Sequence, residues 1–576
     1  MKNDRLSALD AVLWCLAFAA LAFVPDQKIL RYKLLALEAA TAALALSVFA
    51  HWALNRSAKW IRTPLDLPMG LYAAGGLLFY FLSSERGASS LELTRMLFCA
   101  AAFFAATQTA PRLKRPELLG AVWLSAAALV ALYALLQLKG GIGPLAVPKS
   151  ARPFATFGNP IFLAAFLAAS LAAAAGLIPS IPSGRVRWAA IACTALIVGG
   201  LWAAQSRAAL AGLAGAAFAA ALLILHGRKR QAAIAAAAVA VILFAWHFRD
   251  RQWTHGLIWR DSLGLWMTRP ILGCGLGRFH IEFPAFASDA LRALWPQQRV
   301  IVNFAHNEYL QVLAETGIVG LGMLLAVFAS AGFWFWKTWR RLAPGPEKLR
   351  SGGLALAAAT VVAQNLFSPD LRFGVSSFIL FACLGLAVGR TSGRTVELGE
   401  SRRWAYLGIG FAMLMAWGHL AARPIRAQRR LAAQPSFYVR PSGELDRALV
   451  DLEARLAADP ANIDLAENLA YLYAKKRDWP RAVARFELAH RLGPRRPGPL
   501  NNLGNVYYSL GDRRRAIVYW KKSLDVSPDQ LDAHTNLGKA LYEVGRLKEA
   551  SRHLQEVLRR DPSNEKAQIL LKKMVE

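Results

Sequence analysis

Thirteen apolar runs follow one another through the first 421 residues, each close to the length of a membrane-spanning helix. They lie near 8–24, 33–54, 64–83, 91–109, 117–138, 160–178, 187–204, 208–226, 231–248, 318–336, 353–368, 374–389 and 404–421. About 20 apolar residues in a helix cross the hydrocarbon core of a bilayer, with every backbone polar group satisfied inside the segment. A water-soluble domain could not bury so many. The composition agrees: 55% of the residues are hydrophobic and the mean hydropathy is +0.31. The expected fold is all-α, a polytopic membrane bundle of about 12–13 spans. The first run carries no small-x-small cleavage site and many spans follow it, so it reads as a span and not as a signal peptide.

A net charge of +31 would ordinarily raise the question of nucleic acid. Its distribution answers that question. With the N-terminus inside, alternate loops fall at 55–63, 110–116, 179–186, 227–231, 337–350 and 390–403. Together with Lys2 and Arg5 they hold more than twice the Lys and Arg of the short loops opposite. That asymmetry is the positive-inside signature, so much of the excess charge encodes topology. Among the five cysteines only Cys274 lies in a loop, and no zinc or disulfide spacing is present. No metal and no cofactor is expected.

The longest insertion within the bundle, 249–305, follows the ninth span and lies on the outer side. A loop of that length mixing aromatics, arginines and short apolar stretches is usually functional. The membrane domain is expected over 1–422. A basic linker at 423–442 contains Pro424, Pro435 and Pro441, and a soluble domain follows over 443–576. That domain is periodic. Leu469-Ala470, Leu503-Gly504 and Leu537-Gly538 recur every 34 residues. Ala482, Ala516 and Ala550, then Phe486, Trp520 and Leu554, then Pro494, Pro528 and Pro562 recur in the same register. This pattern resembles the tetratricopeptide repeat (TPR), with units at 463–496, 497–530 and 531–564, which implies an α-solenoid and a protein partner. Thirteen spans put it outside; one span fewer would put it inside.

Chemistry concentrates at the outer edge. His306-Asn307-Glu308-Tyr309-Leu310-Gln311 runs on through Glu315 to Gly317 and Gly320, just where the tenth span begins. An imidazole titrates near neutrality and can take a proton, whereas ionisable groups at a membrane boundary are costly and usually functional. Glu308, Gln311 and Glu315 share one helical face, and Gly317 with Gly320 is expected to allow close helix approach. Taken alone, such a histidine is more often a capping or packing residue. Arg152, Arg207 and Arg260 fall on the same side, against the charge trend. Guanidinium forks bind phosphate bidentately, so several arginines with one histidine suit a reaction that expels a diphosphate while the histidine deprotonates a hydroxyl. Individually each arginine is equally well read as snorkelling to headgroups. Asp370, at the outer end of the eleventh span, stands where it could orient His306 or simply end a helix. Arg95 is a charge inside the fourth span and needs a partner, either Glu92 or a lipid phosphate. Arg269 opens a glycine-rich turn, Gly273, Gly275 and Gly277, whose spacing is not a dinucleotide fingerprint.

Arg152 through Pro160, Ser206-Arg207-Ala208, Trp259-Arg260, the run Arg269–Phe279, and His306-Asn307 with Gly317 and Gly320 together resemble the O-antigen ligase and polymerase family. The resemblance covers about 60–390. It implies a metal-independent, inverting glycosyltransferase of the GT-C kind, using an undecaprenyl-diphosphate-linked glycan as donor. By the same resemblance His306 is the base, and Arg152, Arg207 and Arg260 clamp the diphosphate. The expected catalytic set is His306, Arg260 and Arg207, and the expected substrate-binding set is Arg152, Asn307, Arg269 and Asp370. The acceptor would be lipid A–core most readily, a growing chain in a polymerase, or a protein hydroxyl in an O-oligosaccharyltransferase. A non-catalytic TPR scaffold is the alternative of a different class. The expected location is the bacterial inner membrane, with the site facing outward.

Overall fold

The computed structural model describes residues 2–25, 32–55, 59–142, 145–247, 255–292, 302–399, 404–413, 415, 418, 443–561 and 564–575. The linker expected at 423–442 and part of the outer insertion lie outside them. Among the described residues, each of the thirteen apolar runs contributes to a helix. Eight are long and apolar enough to cross a membrane: Leu6–Phe23, Tyr32–Leu54, Arg86–Arg112, Pro116–Lys139, Pro160–Ser180, Arg185–Ala204, Arg207–Ile224 and Glu308–Arg341. Asp66–Leu82, Val375–Thr391 and Trp404–Met413 are shorter apolar helices, and the remaining two runs form Gly227–His247 and Pro346–Gln364. Local chemistry sets their ends. The side chain of Asn159 caps the helix at Pro160 by accepting from Ile161 N at 2.8 Å, and proline stands in the first turn at 116, 160 and 346. Gly140 closes the fifth span with φ +88°.

The loops gather at two ends of the bundle. At one end, strands Lys59–Ile61 and Thr395–Glu397 pair antiparallel. There Arg390 binds Glu347 at 2.7 Å and donates to the carbonyls of Ala110 and Leu113. Arg112 meets the buried Asp10 at 2.8 Å. At the other end, residues of 83–89, 205–207, 255–292, 302–308 and 365–373 converge. Between the two, the core is aliphatic and aromatic, with Trp14, Phe18, Trp123 and Phe378 buried and their rings packed against one another, Phe18 stacked on Trp123 and edge-on to Phe378.

The C-terminal domain is a stack of antiparallel helix pairs from Gly443 to Val575. Its repeat has a simple steric cause. A Cβ on Gly504 would lie 2.5 Å from the Trp520 indole, so the small residue after each repeated leucine makes room for the large residue sixteen positions on. Trp520, Phe486 and Leu554 are all buried in that way. The solenoid meets the second group of loops: Arg495 pairs with Glu282 at 3.3 Å and lies over the Phe286 ring at 5.5 Å.

Candidate active site

The tenth span is not one continuous helix. Gly317, with φ +64° and ψ −165°, breaks Glu308–Arg341 near its outer end. A break at membrane depth leaves carbonyls of the first segment and amides of the second unsatisfied, which lipid cannot remedy. The glycine-rich turn supplies the missing partners. Cys274 N and Gly275 N donate to Ala314 O and Glu315 O, both at 2.9 Å. Ile318 N and Val319 N donate to Pro270 O and Ile271 O at 3.0 and 3.4 Å. The approach is so close that a Cβ on Gly317 would sit 2.1 Å from Ile271 O, and one on Gly273 would sit 2.3 Å from the Glu315 carbonyl carbon. The expectation that Gly317 serves helix–helix approach is therefore corrected: it serves a loop that splints a broken helix. Gly320 does face a neighbouring helix, through Phe79.

The break positions a buried charge network. Arg372, at the end of the turn before Val375–Thr391, binds Glu92 at 3.0 Å, Glu308 at 3.1 Å and Glu315 at 3.1 Å. Arg95 binds Glu92 at 2.7 Å and lies 3.6 Å from Glu308. Glu315 also accepts from Gly277 N at 3.0 Å and from Gln311 Nε2 at 3.1 Å. Five acidic and basic side chains from three segments thus pair with one another in a largely buried cluster. The shared face of Glu308, Gln311 and Glu315 was legible from spacing, and Arg95 finds Glu92. Arg372 went unnoticed, although an arginine beside Asp370 at a membrane edge is itself a signal. Among the described residues no group of three or more His, Cys, Asp or Glu is placed to hold a metal ion.

His306 stands at the head of this segment. Its φ of +53° is left-handed, a conformation costing about 1–2 kcal/mol outside glycine. The next residue, Asn307, caps the helix by accepting from Leu310 N at 3.0 Å, and Glu308 N donates to Asn365 O at 2.9 Å. The ring of His306 stacks on His255, with centroids 4.7 Å apart and planes 7° apart. Two imidazolium charges at 4.7 Å would repel by roughly 3–4 kcal/mol at an effective dielectric near 20, so the pair holds at most one proton. Burial lowers the pKa of His306. Burial, the His306 ring and the Arg207 guanidinium lower that of His255 to about 4. His255 belongs to helix His255–Met267 and was not anticipated from sequence; a histidine opening an amphipathic stretch in the outer insertion was the available signal.

The remaining expected residues are placed as follows. Arg207, half-buried, begins helix Arg207–Ile224 after the cap Ser206, and its charge reaches His255. Arg260 is exposed, pairs with Asp261 at 3.3 Å, and lies about 140° around its helix from His255. Arg152 and Arg269 are also exposed; the backbone of Arg269 anchors the glycine-rich turn by accepting from Gly273 N at 2.9 Å. Asp370 is buried, holds Gln364 and Ser368 by hydrogen bonds, and is pushed by burial up to about 7. The structure therefore brings His306 and Arg207 together through His255, and leaves Arg152, Arg260 and Arg269 at the surface. The 152–160 segment is tied in differently. Gln137 Oε1 accepts from Ala155 N at 2.7 Å, and Phe373 bridges Phe162 and Phe304 at 4.1 and 5.3 Å.

A membrane helix bundle with a polar site at one end, joined to a repeat solenoid, defines the class. Residues 192–325 match the family described as O-antigen ligase, and residues 507–574 match a tetratricopeptide repeat family. The first match covers part of the membrane bundle, from the seventh span to the broken helix that follows His306, and the second covers part of the solenoid. No curated protein sequence matches it significantly. Similar solved structures include the first TPR of Spaghetti (RPAP3) bound to an HSP90 peptide, at 19% identity over 20% of this chain and 90% of that one, TM-score 0.19. The Arabidopsis OM64 TPR domain gives 19% over 20% and 93%, TM-score 0.19. YrrB, a TPR protein with an unusual peptide-binding site, gives 24% over 23% and 77%, TM-score 0.20. Scores of that size add nothing to what the repeat itself establishes.

Proposed function

We propose that the protein transfers a glycan from a lipid-linked diphosphate, undecaprenyl diphosphate in a bacterial inner membrane, to an acceptor hydroxyl on the outer face. The observation that carries this is the His306–His255 pair beside Arg207, lying inside the O-antigen ligase match. The acceptor O–H gives its proton to the free ring nitrogen of His306 as its oxygen bonds to the anomeric carbon. The bond from that carbon to the diphosphate oxygen breaks, and the electron pair leaves with the diphosphate. A half-buried ring with a lowered pKa is neutral at physiological pH, the form a general base needs. Arg207, with Arg152, Arg260 and Arg269 recruited from the surface by the incoming diphosphate, would balance the leaving charge. Asn307 caps the helix that follows the base, and Asp370 holds the side chains of Gln364 and Ser368. The chemistry needs no metal, and inversion follows from a single displacement.

Lipid A–core is the acceptor proposed first. A protein acceptor is the second reading, favoured by one observation: the TPR domain meets the same end of the bundle as His306, through Arg495 and Glu282. Purified full-length protein given a defined undecaprenyl-diphosphate oligosaccharide should label lipid A–core, and His306→Ala should abolish the product. Lengthened glycan still on the carrier would make it a polymerase, and glycosylated protein an oligosaccharyltransferase. Undiminished transfer by His306→Ala would remove the histidine from the chemistry.

A further inference from the structure

His255 has no task in the chemistry just described, yet its placement is specific. Its helix is locked from beneath by buried Ile258, Asp261, Ser262 and Leu265, and Asp261 accepts from both the amide and the hydroxyl of Ser288 at 2.8 Å. A fixed helix therefore presents a flat ring to His306 at 4.7 Å and 7°. His306 needs such support, because its left-handed backbone persists only where neighbouring contacts hold it. We infer that His255 is a positioning residue for His306, a neutral aromatic platform that fixes the orientation of the base and shields it from water; the inference rests on the role proposed for His306.

The charged surroundings assign the two rings different parts. Arg207, from helix Arg207–Ile224, bears on His255 and opposes its protonation. On the segment 364–373, Asp370 is engaged by Gln364 and Ser368, and Arg372 is consumed by Glu92, Glu308 and Glu315. On the helix of His306 itself, Glu308 is held by Arg372 and Arg95. On the helix of His255, Asp261 is tied to Ser288 and Arg260 faces solvent. Since the pair accepts one proton only, His306 is the ring that takes it, and the neutral face of His255 lies against the imidazolium so formed.

The test uses full-length protein in proteoliposomes, with an undecaprenyl-diphosphate oligosaccharide as donor and lipid A–core as acceptor. Two readouts are taken: the pH profile of transfer, and the pH dependence of diethyl pyrocarbonate labelling at position 306, read by mass spectrometry. His255→Ala should lower kcat on the order of tenfold with KM nearly unchanged, as expected when a reacting group is misplaced and not removed. Water admitted to His306 should raise both the acid limb of the profile and the labelling midpoint toward the ordinary histidine value. His255→Phe, which restores a flat ring, should recover most of kcat and return both midpoints. His255→Leu, bulky but not flat, replaces the alanine variant if a hole prevents folding. The inference is overturned if His255→Ala and His255→Leu match wild type in rate and labelling, or if His255→Phe is as inactive as His255→Ala. Full transfer by His306→Ala would defeat the base assignment separately, since labelling at position 306 in the His255 variants still reports on the stack.

Discussion

The TPR domain and the His306 end of the membrane domain handle polar groups in opposite ways. In the repeats most ion pairs stay exposed or half-exposed, such as Lys521–Glu549 at 3.0 Å and Arg513–Glu543 at 3.1 Å, and the core is mainly apolar. At the His306 end of the bundle, carboxylates and guanidiniums are buried and the backbone of a spanning helix is interrupted. The first arrangement is tolerant, because exposed pairs contribute little and each can be lost alone. The second is not, because removing one partner strands the others away from water. Stability in the one region is spread over a repeat; in the other it is concentrated in a few residues that also carry the candidate base.

Deleting the hub is the largest expected effect. Arg372→Ala leaves Glu92, Glu308 and Glu315 without their common cation, a loss of about 3–5 kcal/mol or more. The variant should fail to accumulate in membranes, or melt far below wild type by fluorescence-detected size exclusion. Normal accumulation and an unchanged Tm would show that the network is not structural. In the repeats, Trp520→Ala should cost about 3–5 kcal/mol through the cavity it opens, but locally. Limited proteolysis should then cut within 497–561 while His306-dependent transfer survives in the membrane domain. Simultaneous loss of both would mean that the two regions fold as one unit.

Gly317→Ala comes next. Its Cβ would collide with Ile271 O, and alanine at φ +64° is itself strained by about 1–2 kcal/mol. The glycine-rich turn should lift from the helix break, seen as faster hydrogen exchange at Cys274 and Gly275, with activity lost before stability. Unchanged exchange there would break the claim that the turn splints the helix.

How much of this could be read beforehand follows from the range of the interactions. Helices and repeats are set by local patterns: an apolar run, an Asn307 cap, a small residue sixteen positions before Trp520. All of these stand in the sequence in register. His306-Asn307 drew attention for the same reason, as a polar pair at the start of a span, though the cap that Asn307 makes was not read from it. Arg372 was not, since its three carboxylates come from positions 92, 308 and 315, and only packing unites them. Gly317 was misread because a Gly-x-x-Gly in apolar surroundings ordinarily marks helix contact, and a positive φ leaves no trace in spacing. His255 was hidden by distance, 51 residues from the ring it stacks on.

The pH response should also separate the regions. In the third repeat, His534 and His553 meet ring nitrogen to ring nitrogen at 2.9 Å, an arrangement that fails when both are protonated. Burial lowers both, with His553 brought to about 4. A histidine with a depressed folded pKa binds more protons unfolded, so stability is intact above about 6.5 and declines as pH falls toward 4. Hydrogen exchange over 531–561 should accelerate in that window, and His553→Phe should flatten the response. A third repeat as protected at pH 4.5 as at pH 7 would contradict it.

The smallest effect expected is at the junction of the two regions. Arg495 is about half exposed and its partner Glu282 is buried beside Arg278, so the contact is partly screened and worth about 0–1 kcal/mol. Arg495→Ala should leave Tm within about a degree, consistent with so small an energy. Its consequence is positional. Glu282 lies three residues past the Phe279 amide that reaches the Glu315 carboxylate, so the solenoid grips the same short segment that ends the splint. Losing that grip should lower cross-linking between cysteines placed at 286 and 492, and high salt should do the same to wild type, because an ion pair at the rim weakens as ionic strength rises. Cross-linking insensitive to both would mean that the solenoid is held by its neighbouring residues, Asp459 near Gly87 and Arg496 near Glu85, and that Arg495 only rests on the surface.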